Sequence, residues 1–313
     1  MATWGARLVR LQVWPVYEAR SRQQALWEAW PGLLTTVVGE VQAAGAAGLK
    51  VIIDLHEPPL MGVDGQTAAA WHHPDMAPNL NRLWGDLARA LKPFGALIYG
   101  YDLLNEPLDR GQMPKAPREW RPLAVQVLTI IRAIDPQVWL IYESGPGGMC
   151  WGLEGLEPLP DARVIYSPHY YSPHAFTHQG ISTVAGTDLQ QAMLKVDLHY
   201  PGTIGGQVWD AEAHRRTMAP ILAFQRKHRV PILIGEFSVI RWAPGTSGED
   251  WLRDVTGLFA EYGWSWCYHA FREFHGWSLE HDGAMWVKGQ PDPAPSPVTT
   301  ARARVIRERL VEQ

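Results

Sequence analysis

The chain has 313 residues, 46% of them apolar, and a net charge of -4. That balance offers no basic face for nucleic acid or an anionic membrane, and no apolar run exceeds strand length, so a membrane span is excluded. Composition shifts nowhere along the chain, and residues 1–313 read as a single domain with one large core.

The chain opens Met-Ala-Thr-Trp-Gly-Ala-Arg, without the charged-then-apolar pattern of a secretory leader. It runs at once into a short strand, Leu8 to Val13, closed by Trp14-Pro15. A helix is predicted from about Pro31, with Leu34, Val37, Val38, Val41 and Ala44 on one face and Gly48 as its stop. Leu49 to His56 is apolar on both faces, as parallel sheets require, and a Gly/Pro/His loop follows from Glu57 to Pro78. Leu80, Leu83, Trp84, Leu87 and Leu91 mark a second helix, which leads to the strand Ile98-Tyr-Gly-Tyr-Asp-Leu-Leu-Asn-Glu-Pro107. A helix through Leu123, Val127, Ile130, Ile131 and Ile134 precedes the strand Val138 to Tyr142, which ends in Glu143-Ser-Gly-Pro-Gly-Gly. Arg163 to Tyr171 is the next strand, and an irregular insert occupies roughly Ser172 to Trp209. A helix with Met218, Ile221, Leu222 and Gln225 leads to the strand Val230 to Phe237. A further helix (Trp251 to Phe259), a strand (Gly263 to Tyr268) and a terminal helix (Thr300 to Val311) complete the chain.

Strand and helix alternate throughout, the signature of parallel β/α construction. Arg10, His56, Asn105, Glu106, Glu143, His169, Tyr171 and Glu236 fall at or just beyond the carboxyl ends of different strands. Only a closed ring of strands, the TIM (β/α)8-type barrel, gathers so many at one mouth, and no Gly-rich phosphate loop of the doubly wound kind is present. Seven strands are evident where the barrel needs eight. The expectation is that a second copy of the chain, as a homo-oligomer, or a rearranged terminal segment covers the gap, since exposed strand edges are normally protected.

Glu106 and Glu236 each end a buried strand, and two such carboxyls are the minimum equipment for hydrolysing a glycosidic bond. Sixteen Trp residues are present. Trp71, Trp151, Trp209, Trp242 and Trp286 stand in loop-like contexts, where stacking on a sugar gives an exposed ring a purpose. Cys150 and Cys267 read as free thiols. His72 and His73 with Asp64 and Asp75, and His174 with His178, lack a recognisable metal-ligand spacing and read as solvated loop residues. Glu143 lacks a preceding amide and reads as loop structure or a distal subsite.

Leu-Val-Arg10-Leu, Val-Ile-Ile-Asp-Leu-His56, Leu-Leu-Asn105-Glu106-Pro, Ser-Pro-His169-Tyr-Tyr171 and Ile-Gly-Glu236-Phe stand in the order and spacing of glycoside hydrolase family 5, which the chain resembles from Arg7 to about Glu280. The departure is at the front, where the family's first strand is missing. The resemblance implies Glu106 as acid/base, Glu236 as nucleophile, and Asn105 as a ligand of the hydroxyl beside the anomeric carbon. It implies that Arg10 and Tyr171 support the nucleophile and that His56 and His169 bind substrate or the acid/base. Trp264, Trp266 and Tyr268 share one parity; Trp266 is preferred as the family's aromatic platform, with Tyr268 its rival.

The activity expected from the resemblance is retaining endo-hydrolysis of a cellulose-like β-1,4-glucan, without cofactor or metal and outside the cell. Mannan, xyloglucan or mixed-linkage glucan are the alternatives on the same site. A barrel that only binds glycan and a metal-dependent barrel hydrolase are the readings from other classes. Glu106 is expected to hold its proton, with a raised pKa, while Glu236 stays ionised.

Overall fold

A computed structural model describes residues 1–181, 196–286 and 290–311. By its internal contacts the chain forms two compact units that interleave in sequence. One comprises Met1–Pro168 and Ala223–Leu233, the other His169–Leu222 and Ile234–Gln313.

The first unit is built on five parallel strands, β1 (Leu8–Val13), β2 (Lys50–Leu55), β3 (Ile98–Asp102), β4 (Trp139–Tyr142) and β5 (Val164–Tyr166), paired in chain order. Its helices are α1 (Pro15–Ser21), α2 (Leu26–Ala46), α3 (Ala68–Trp71), α4 (Met76–Leu91) and α5 (Trp120–Ile134). Val51 to Leu55 are all buried, the two-sided burial that a parallel strand under helices requires. The α4 stripe Leu80, Leu83, Trp84, Leu87 and Leu91 is buried as its spacing predicts, and Trp84 meets Tyr101 of β3 at 5.4 Å. Trp120 of α5 stacks on Tyr142 of β4 at 5.6 Å. On the far side of β5, Tyr166 bridges in parallel to Ile232, so the approach to the next strand continues this sheet.

The second unit holds α6 (His174–Thr177), an antiparallel hairpin of β6 (Gly202–Ile204) and β7 (Gln207–Trp209), then α8 (Ser247–Tyr262), β9 (Ser265–Tyr268) and α9 (Ala301–Val311). The helix α7 (Ala211–His228) and the strand β8 (Leu233–Phe237) each contribute residues to both units. β8 and β9 form one sheet, and Phe237 on β8 packs against Phe259 of α8 and Trp266 of β9. The α9 guanidinium of Arg302 donates to the carbonyls of Val239, Ser278 and His281, tying the last helix to the loops that follow β8 and β9.

The seven predicted strands correspond to β1 to β5, β8 and β9. Two predictions are corrected. The helix expected from Pro31 begins at Leu26, because the Glu28 carboxylate caps the Ala25 N–H and starts the helix earlier; Pro31 rides inside it, exposed. The segment read as irregular from Ser172 to Trp209 contains α6 and the β6–β7 hairpin, while its residues 182–195 lie outside the described part. No helix among the described residues is long and apolar enough to cross a membrane.

Candidate active site

In the first unit one cation gathers groups on or directly after four successive strands. Arg10 of β1, with a side chain 4% exposed, donates from Nε to Asp102 at 2.9 Å and from Nη2 to Glu143 at 2.9 Å, and lies 3.1 Å from Asp54. Asp54 belongs to β2, Asp102 ends β3 and Glu143 directly follows β4. Three carboxyl groups around one guanidinium leave an excess of negative charge, and the cation position they define is filled by the protein itself. Burial pushes Asp102 well above the usual carboxylate range; Arg10 opposes the shift, and Glu143 and Asp54 add to it. One carboxyl of the cluster therefore holds its proton more readily than an exposed acid.

The same cluster aims the polar residues of the mouth. Arg10 Nη2 also donates to Asn105 Oδ1 at 2.9 Å, which fixes the amide and directs its NH2 onward. Asp54 Oδ2 pairs with His56 Nδ1, leaving Nε2, 3.4 Å from the Gln12 amide, as the outward atom. The His56 ring lies 4.3 Å from Trp14, at the carboxyl end of β1. Glu57, next in sequence, accepts the N–H groups of Val16 and Tyr17 at 2.7 Å each and so anchors α1 beside that pair.

Glu106 sits at φ +44°, a left-handed conformation unusual outside glycine, and its backbone N–H donates to Glu143 Oε2 at 2.8 Å. Asn105 N donates to Leu55 O and Leu103 N to Ile141 O, so the chain after β3 is held from both neighbouring strands. Glu143 thus has one oxygen on Arg10 and the other on the Glu106 backbone. It stands in the loop that follows β4, as expected, but is fully buried and supports Arg10 and the Glu106 backbone from there.

In the second unit Glu236, 6% exposed, occupies β8 and accepts the Tyr171 hydroxyl at 2.8 Å on Oε2. The same oxygen lies 3.8 Å from His169 Nδ1 and 3.5 Å from His269 Nδ1. His269 had no signal in the sequence beyond its place just after a strand. Its other nitrogen faces Glu273 at 3.5 Å. His178 is also not a solvated loop residue: its ring lies 5.1 Å from Tyr171 and 4.8 Å from Trp277. Burial, with His174 and His269, depresses its pKa well below the usual imidazole value, so it stays neutral. The Thr177 hydroxyl donates to Tyr171 O and accepts from His178 Nδ1, which fixes the tautomer.

Trp266 is displaced from its expected role. Glu236 and Phe237 alternate along β8, so they face opposite sides, and Trp266, 9% exposed, packs edge-on against Phe237 at 5.4 Å. Its rival Tyr268 also meets Phe237 and spends its hydroxyl on the Trp277 carbonyl. The large ring beside Tyr171 is Trp277, at 6.3 Å. Trp71, expected exposed, is buried and donates to Leu108 O.

The family model for cellulase (glycosyl hydrolase family 5) matches residues 1–274. The chain belongs to that family. Endoglucanase C of Acetivibrio thermocellus is 25% identical over 230 residues, 68% of this chain, and the chain spans 65% of that relative's length. Cellodextrinase A of Ruminococcus flavefaciens is 24% identical over 69% of this chain and 61% of its own. Among solved structures, a hyperthermophilic endo-beta-1,4-glucanase in complex with substrate superposes with TM-score 0.67 at 26% identity, covering 87% of this chain and 77% of that one. Cel5A of Thermotoga maritima superposes with TM-score 0.74 at 22% identity, over 99% of this chain and 87% of its own, and speaks for the fold alone. The fold of this family 5 chain is therefore the α/β barrel that alternating strands and helices predict.

Proposed function

We propose that this family 5 chain hydrolyses β-1,4-glucan internally, with retention, through a covalent glycosyl-enzyme. The observation that carries the reading is the frame around each motif glutamate, in a chain whose family is cellulase: Glu236 on the Tyr171 hydroxyl, and Glu106 on a backbone pinned by Glu143. In the first step Glu236 attacks the anomeric carbon, Glu106 passes its proton to the departing glycosidic oxygen, and a glycosyl ester forms. Glu106, its proton now on the departed sugar, then takes a proton from water as that water attacks the same carbon and frees Glu236. Retention needs the two carboxyls roughly 5 to 5.5 Å apart.

Tyr171, His169 and His269 steady the ionised Glu236. Asn105 and His56 meet sugar hydroxyls, Arg10 orders Asn105, and Trp277 takes the platform role first given to Trp266. No step calls for a metal or cofactor. A glucan polymer cannot enter a cell, so the site of action is extracellular.

The test is reducing-sugar release from carboxymethylcellulose, barley β-glucan, xyloglucan, glucomannan and xylan, with Glu236→Gln as the blank. Activity on the β-1,4-glucans, absent from the blank, is the expected outcome; silence from a folded protein across the panel sinks the reading. The relative named a cellodextrinase favours a second reading, attack on short chains. Release of product from cellotetraose but not from polymer would select it.

A further inference from the structure

Outside the carboxylate machinery, the second unit carries an open groove of about 530 Å³ lined by Gln207, Val208, Trp209, Ala213, Arg216 and Thr217. That volume lies within the range of small-ligand sites. The β6–β7 hairpin turns at Gly205 and Gly206, both at positive φ, and delivers Trp209 to the start of α7. The Trp209 ring rests on His214 at 5.5 Å, and His214 is fully buried with Nδ1 2.7 Å from the Tyr170 hydroxyl, so the ring is held from beneath while its outer part remains open.

Its indole N–H is unspent. Of the five tryptophans in loop-like sequence, Trp71, Trp151, Trp242 and Trp286 give their N–H to backbone carbonyls. The Trp209 N–H has no acceptor among the described residues and is not sealed from solvent. Around it stand the exposed amide of Gln207, the Arg216 guanidinium, and the Thr217 oxygen, whose proton goes to Ala213 O and whose lone pairs stay available. Arg216 is 65% exposed with Glu212 at 4.0 Å, so the charge is locally balanced and favours a neutral ligand. A flat ring bordered by hydrogen-bond donors and acceptors, with the one cation offset by a carboxylate, suits a molecule with one apolar face and a rim of hydroxyls.

We propose that this groove is a surface site for a neutral β-glucan chain, one sugar stacked on Trp209 and its hydroxyls met by the indole N–H, Gln207, Arg216 and Thr217. The proposal rests on the reading of the chain as a glucanase. Between groove and nucleophile stand His214 and Tyr170, whose backbone N–H bonds Glu236 O at 2.8 Å, so the groove holds polymer without touching the reacting sugar.

The test compares Glu236→Gln with Glu236→Gln/Trp209→Ala in native gels containing barley β-glucan. Loss of one aromatic platform is expected to weaken polymer binding roughly 3- to 10-fold. In the active chain, Trp209→Ala keeps its rate on a short aryl cello-oligoside. Because the alanine uncovers His214, the exposed pair Gln207→Ala/Arg216→Ala provides a second probe and should weaken retardation in the same direction. Retardation unchanged in both variants overturns the proposal, as does an equal fall on short and long substrates. A parent chain that binds β-glucan through Trp209 but never cleaves it fails the glucanase reading alone. One that cleaves, with retardation indifferent to Trp209, fails only the groove.

Discussion

Glu143 links the support of Arg10 to the backbone of the proposed acid. Its two oxygens serve Arg10 and the Glu106 N–H, so an amide at this position offers one acceptor where two are used and turns an NH2 toward a donor. Glu143→Gln should lower kcat about 10- to 100-fold with KM little changed, the scale of one charge-assisted hydrogen bond lost from a positioning residue. A fall in KM-dependent binding with kcat intact would contradict that role. For the proposed pair, Glu236→Gln and Glu106→Gln should each lose at least about 100-fold while remaining folded, and azide should rescue Glu236→Ala with formation of the opposite anomer. Rescue at neither glutamate's alanine variant would count against a retaining mechanism.

Asp102 makes a pH prediction at the same scale. Its folded pKa is raised, so the native chain keeps a proton that the unfolded chain releases above about pH 4. Stability must then fall as pH rises from there toward the folded value, with Arg10, Glu143 and Asp54 facing the group throughout. Asp102→Asn keeps the neutral form at every pH and should flatten that decline in urea unfolding measured from pH 4 to 8. Parallel profiles for parent and variant would exclude it.

Among the elements, β3 depends on the absence of a side chain. A Cβ at Gly100 would stand 3.0 Å from Trp139 O and 3.1 Å from Ile141 Cδ1, both on β4. Gly100→Ala should therefore push β3 from β4 and cost roughly 1 to 3 kcal/mol by overpacking, read as a lowered urea midpoint. Activity should fall further than stability, because β3 carries Asp102 and leads to Glu106. A midpoint equal to the parent's would remove the steric argument. The elements themselves were legible wherever a period was: the α4 stripe and the two-sided burial of β2 follow from spacing alone. The start of α2 was not, because a glutamate reaching back to its own cap outweighs the proline preference. Motif spacing likewise singled out Glu106, Glu236, Asn105, His56 and Tyr171 as candidates, and their roles stand as proposals. It passed over His269, read His178 as solvated and Trp266 as the platform, and did not show what Glu143 supports, because what distinguishes these residues is which face of a strand or which neighbouring ring they meet, and parity alone does not name the inner face.

For the whole molecule, β1 is the outer strand of the first unit's five-stranded sheet, and the expectation of a covering copy remains a proposal. Light scattering across a concentration series tests it: a mass of twice 35.1 kDa supports the copy, and a monomer at every concentration rejects it. The Arg10 cluster has a further meaning at this scale, for descent rather than for chemistry. β1, β2 and β3 and the residue after β4 contribute one group each to a single buried charge balance. A chimera that exchanges one of these strands with a distant relative inherits an unmatched acid or an unmatched base, whereas exchange of the four together carries the balance with it. Recombination within this family should thus tolerate crossover points outside the β1–β4 block and reject those inside it, making the block a unit of inheritance.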